Sequence, residues 1–144
     1  MADVRFGELP LDLAFTDVRG DGSRRLALFG DPRDPNTRAL VRDELSRVGD
    51  VTVHTLLLPL EIYPGSDDTA RRIWAAPDRA AAWYAWMTDE TPPPDDPDPH
   101  TPLARLRLAA EELQIVSTPT LVFESGEMIA GATPAREIEA MLSA

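Results

Sequence analysis

The 144 residues, 43% hydrophobic and 27% charged, have the balance of one ordinary soluble globular domain, and no run approaches the ~20 apolar residues of a membrane span. Acidic side chains outnumber basic ones 25 to 14, giving a formal charge of -11 that repels a phosphate backbone and excludes nucleic acid as a partner. There is no cysteine, which removes disulfides, thiolate metal sites and cysteine nucleophiles together.

The acids are scattered rather than blocked, so solubility accounts for the charge. The opening MADVRFGELPLDLAF has neither a basic leader nor an apolar run ending in a cleavage site, and reads as a chain without a secretory signal or one whose leader has been removed. A short extended stretch from Ala14 to Arg19 then meets the turn signal Gly20-Asp21-Gly22 and the apolar run Leu26 to Phe29, a pattern that predicts a hairpin entering a buried strand.

After Gly30, Asp31-Pro32-Arg33-Asp34-Pro35 turns the chain into a helix starting at Pro35 and capped by Asp34. Its inner face carries Leu40, Val41, Leu45 and Val48, and Gly49 is the expected stop. The β-rich run Val51 to Leu58 completes a βαβ unit, which predicts a parallel pair. Residues 66–90 read as two alanine-rich helices broken near Pro77, with their three tryptophans in the core rather than in a ligand cage.

Residues 91–102 hold six prolines and predict an extended loop inside a single domain of residues 1–144. Thr101 is the expected cap of the next helix, with Pro102 in its first position and Leu103, Leu106, Ala110 and Leu113 facing inward. A second hairpin, Leu121 to Phe123 with Met128 to Ala130, leads to a last helix started by Thr133 and Pro134, with Ile138, Met141 and Leu142 inward. The fold class is α/β, a central mixed sheet flanked by helices, with a helical insertion between a βαβ half and a ββα half.

Two histidines invite a metal or hydrolase reading, but His54 lies in a strand and His100 in the proline-rich loop, without ligand spacing or a nucleophile partner. His54 reads as a core or edge-strand residue with a satisfied ring, and no metal and no cofactor are expected.

Several stretches carry a family resemblance: FGELPLDLAF, LALFGDPRDPNTRAL, RRIWAAPDRAAAW, TPLARLRLAAEEL, STPTLVFESG and the Gly-Ala-Thr-Pro near the end. Together with the element order, they resemble the thioredoxin-fold catalytic domain of DsbC/DsbG-type disulfide isomerases. The resemblance implies a redox centre, Cys-x-x-Cys after a Phe-x-Asp-Pro sequence, where this chain has Asp34-Pro35-Asn36-Thr37. It also implies a structural cysteine pair, whose places hold Ala75 and, approximately, Pro99. Thr118-Pro119 matches the Thr-Pro whose cis proline packs on the redox centre, and Thr118, Pro119 and Thr120 are the implied peptide-binding residues.

Exchange needs a thiolate, so the resemblance implies a redox-inactive domain that is not an enzyme of this kind, with Asp34 as a helix cap rather than a catalytic group. A peptide-docking surface beside Thr118-Pro119 would remain, taking protein or unfolded peptide, on a chain that is monomeric without the family's dimerisation module. The alternative is cysteine-independent chemistry with a thiol cofactor such as glutathione. The resemblance points to the periplasm, the signal-less start to the cytoplasm.

Overall fold

The computed structural model describes residues 5–94 and 100–143. Among the described residues, five strands form one mixed sheet in the order β1-β3-β2-β4-β5. These are β1 Phe15–Arg19, β2 Arg24–Gly30, β3 Val51–Leu57, β4 Thr120–Phe123 and β5 Met128–Ala130. The helices are α1 Pro35–Ala39, α2 Ser66–Ala75, α3 Arg79–Asp89, α4 Leu103–Glu112 and α5 Ala135–Leu142. Helix α1 runs on through a π turn, Leu40–Glu44, and a 3-10 turn, Leu45–Arg47, before β3.

Leu26, Ala27, Leu28, Phe29 and Gly30 of β2 are all buried; since successive strand residues point to opposite faces, both faces of the central strand are covered. The predicted parallel pair is present, with Leu26 opposite Val53 and Phe29 opposite Leu56. Leu40, Val41, Leu45 and Val48 all enter the core. Among the described residues, no helix is long and apolar enough to cross a membrane.

The predicted first hairpin does not form. β1 pairs antiparallel with β3 instead, on the side of β3 away from β2, so that Val51 faces both Arg19 and Arg24. The turn between β1 and β2 is folded over the start of β3: Asp21 N–H donates to Asp50 Oδ1 at 3.0 Å, and Thr52 Oγ1 donates to the Gly22 carbonyl at 2.8 Å. Gly20 has φ +60, and a Cβ there would stand 2.1 Å from Asp50 Oδ1. The turn residues thus serve a crossover around a third strand.

Helix boundaries differ in three places. Gly49 is not the stop, because Val48 is already extended and the positive φ falls on Asp50. Pro102, not Thr101, caps α4, without a side-chain bond. Thr133 does not cap α5; its first N–H, at Ala135, is received by Glu44 Oε1 at 2.9 Å, an acceptor 91 residues away. Of the three tryptophans only Trp83 is fully buried. Trp74 and Trp86 are half-buried, with arginine guanidinium groups over their rings.

Candidate functional site

At the C-terminal end of β2 the chain must reverse into α1, and two aspartates organise the turn. Asp34 is the N-cap of α1, extended at φ -76 and ψ 120, with Pro35 in the first turn, where its missing N–H costs nothing. Asp34 Oδ1 accepts the Asn36 N–H at 2.9 Å, and Oδ2 accepts both the Thr37 hydroxyl and the Thr118 hydroxyl at 2.8 Å. Asp34 and Thr37 are wholly buried, while Pro35 and Asn36 between them are exposed.

The Thr118 bond joins this turn to a segment 84 residues further along the chain. The Thr118-Pro119 peptide is cis, as the resemblance implies. Thr118 lies just outside the sheet, whose pairing on this strand begins at Thr120 opposite Phe29 and Ala130. The carboxylate therefore holds the helix start and the cis-proline loop in one hydrogen-bonded knot. An aspartate is acceptor-only when ionised, so three donors suit it, but it cannot attack a disulfide.

Asp31, also wholly buried, supports the knot from below. Its Oδ1 accepts the Arg33 N–H at 2.7 Å and the Ser66 hydroxyl at 2.5 Å, and its Oδ2 accepts the Leu60 N–H at 2.7 Å. Burial pushes the Asp31 carboxyl above the ordinary range against the pull of these bonds, and the Asp34 charge adds to the rise. A raised pKa means that the folded state holds the proton more tightly than the unfolded one. This group therefore favours folding in acid, and its contribution is lost as pH rises through the folded value. Carbon-13 NMR titration should find Asp31 above an ordinary aspartate, and Asp34→Asn should lower it; an unmoved value would show the two carboxyls to be electrically separate.

Tyr63 closes the other side. Its hydroxyl titrates above the usual value through partial burial first, then through the nearby carboxylates of Asp34 and Asp31. Tyr63 lines a cleft of ≈ 400 Å³ that adjoins a second of ≈ 300 Å³, both walled by Pro59, Leu60, Glu61 and Arg107. The second reaches Ile115 and Val116, immediately before the cis-proline loop. Val116, which lines the second cleft, is 83% exposed, and Ile62, between Glu61 and Tyr63 in the chain, is 74% exposed.

The four positions of the expected redox slot and Thr118-Pro119 are thus brought together. Thr120 is not part of that contact: it is buried in β4, and its hydroxyl donates to the Ser117 carbonyl at 2.8 Å. Thr118 and Pro119 are also buried, so the outward groups of this loop are Val116 and Ser117. Ala75 ends α2, and Pro99 lies outside the described residues. His54 is in an interior strand rather than at an edge. Its Nε2 receives Arg25 Nε at 3.4 Å, but its buried Nδ1 has no partner among the described residues, so the expected satisfied ring is only half satisfied. His54 titrates low through burial first and then the Arg25 charge. His100 is exposed, and among the described residues no cluster of three His, Cys, Asp or Glu could hold a metal ion.

Sequence reading missed Asp31, Tyr63 and Ser66. The available signal was local: an aspartate inside the same turn as Asp34, and a tyrosine between Pro59 and Gly65 in a segment of neither helical nor strand period.

Comparison with known proteins agrees with this geometry. Residues 11–144 match the thioredoxin-like domain family. The chain is 38% identical over 143 residues to a probable thiol:disulfide interchange protein DsbC of Bordetella parapertussis, covering 99% of this chain and 50% of that protein. It is 36% identical to the corresponding protein of Bordetella avium. The chain thus spans about half the length of these curated relatives. The crystal structure of a disulfide interchange protein from Neisseria gonorrhoeae superposes with a TM-score of 0.88 at 32% identity, covering 94% of this chain and 96% of that one. A periplasmic thioredoxin-like protein from Salmonella enterica serovar Typhimurium, at 18% identity and a TM-score of 0.69, shares the fold. The chain therefore belongs to the thioredoxin-like family, as a domain related to the DsbC-type disulfide interchange proteins but without any cysteine.

Proposed function

We propose that this domain is a polypeptide-binding module that uses the surface around the cis-proline loop without redox chemistry. The observation that carries the reading is the placement of the two adjoining clefts, with exposed Ile62 and Val116, directly beside a loop tied to the helix start by Asp34. Large apolar side chains at such exposure beside a concave surface suit the alternate side chains of an extended segment, while main chain outside the ladder at Thr118 offers hydrogen bonds. Without a thiol, no mixed disulfide can form, so a bound segment is held and released unchanged.

A thiol cofactor fits the slot less well. Its reactive thiolate would approach a buried carboxylate whose two oxygens already accept three hydrogen bonds, and like charges there repel.

Titrating an unfolded polypeptide into isotopically labelled protein should shift the amide signals of Asn36, Ile62, Val116, Ser117 and Thr118. Shifts confined to β1 and the turn at Gly20 would place binding on the far side of β3 and overturn the proposal.

A further inference from the structure

We propose that Arg33 and Arg38, gathered on Trp86, form a carboxylate-recognition subsite that selects acidic residues in the polypeptide held beside Thr118-Pro119. This inference rests on the peptide-binding reading above. The chain carries a formal charge of -11, yet here two cations converge: the guanidinium carbons of Arg33 and Arg38 each lie 5.2 Å from the centroid of the Trp86 ring. The face of the ring attracts both, which holds two like charges near one another.

The positions are built rather than loose. Trp86 Nε1 donates to the Pro32 carbonyl at 2.6 Å, fixing the indole beside the turn that carries Arg33. Arg33 Nε donates to Thr69 Oγ1 at 2.8 Å. The guanidinium rests against bare backbone at Gly65, where φ is +85 and a Cβ would stand 3.1 Å from Arg33 Nε. Arg33 is exposed, and among the described residues it has no carboxylate partner. Arg38 pairs with Glu90, whose side chain is 71% exposed; such a pair is weak, and an incoming carboxylate can replace it.

The cluster adjoins the proposed binding surface, because Arg33 directly precedes Asp34 and packs on the Gly65 end of the loop that carries Ile62 and Tyr63. A cleft of ≈ 250 Å³ opens between Arg33, Pro35, Arg38, Trp86 and Glu90. Its size and the forked donors of arginine suit one carboxylate, accepted by paired N–H groups. A polyanion fits poorly, since the surrounding charge is negative and Glu90 lines the same cleft.

The test compares two extended, fluorescently labelled peptides that differ only in glutamate against glutamine at the same positions, bound to the wild-type chain and to Arg33→Gln and Arg38→Gln variants whose fold is checked by circular dichroism. At low salt the glutamate peptide should bind about fivefold more tightly than its glutamine twin. Both variants should abolish that preference while leaving affinity for the glutamine peptide unchanged, and high salt should shrink it. Equal binding of the two peptides to the wild-type chain would overturn this inference and leave the peptide-binding reading standing. So would variants that keep the preference. Failure of both peptides to bind would overturn both readings together.

Discussion

A chain carrying both Asp34→Cys and Thr37→Cys should oxidise to an intramolecular disulfide and reduce or isomerise disulfides in a substrate, where the parent chain does neither. The two positions are the cap and the third residue of α1, both fully buried, and their side chains already touch, with Thr37 Oγ1 2.8 Å from Asp34 Oδ2. A sulfur at position 34 would meet the Asn36 N–H and the Thr118 hydroxyl, the donors that now serve the carboxylate. Those donors favour the thiolate, so the thiol at position 34 should titrate below the unperturbed ~8.5. Thiolate absorbance against pH and the reduction potential in glutathione buffer are the measurements. An ordinary thiol pKa, or two thiols that never close, would show that the turn no longer has the shape exchange requires.

Replacing Asp34 with alanine should be among the most destabilising single changes on this face of the molecule. Loss of the cap costs about 1 kcal/mol. The Thr37 and Thr118 hydroxyls, both buried, lose their acceptor as well, and stranded donors of this kind cost about 1–3 kcal/mol together after they rotate to what remains. A total of about 2–4 kcal/mol corresponds to a fall in Tm on the order of 10 °C for a chain of this size. Urea denaturation of Asp34→Ala, Thr118→Val and the double variant would separate the terms. A coupling energy of about 1 kcal/mol between the two positions is expected for a direct buried bond. If the effects of the two substitutions simply add, the bond between turn and loop contributes nothing, and the cis-proline loop is held in place by packing alone.

These two results bear on one physical point. In a thiol-bearing relative of this fold the helix start can stabilise a reactive anion; here the same donors are spent on a carboxylate that stays put. A turn whose hydrogen bonds are already made, beside exposed apolar side chains, is what the proposed binding surface needs to avoid ordering costs.

Local chemistry was enough for much of this. Asp-Pro at positions 34 and 35 specifies a capped helix start because the acceptor, the missing N–H and the fixed φ all lie within two residues. The apolar period of Leu40, Val41, Leu45 and Val48 specified a buried face, the βαβ lengths specified the parallel pairing of β2 and β3, and the absence of cysteine ruled out disulfide exchange. The remaining features depend on groups far apart in the chain. β1 pairs with β3 because Asp50 and Thr52 hold the turn at Gly20 to Gly22 over the start of β3, where turn propensity alone would pair neighbouring strands. Thr118 reaches Asp34 across 84 residues, Trp86 reaches Pro32 across 54, and Glu44 supplies the α5 acceptor that no neighbouring side chain offers. Sequence alone determined where polar groups would need partners; which distant residue supplied each partner was decided only when the sheet order and the helix packing brought them within hydrogen-bond reach.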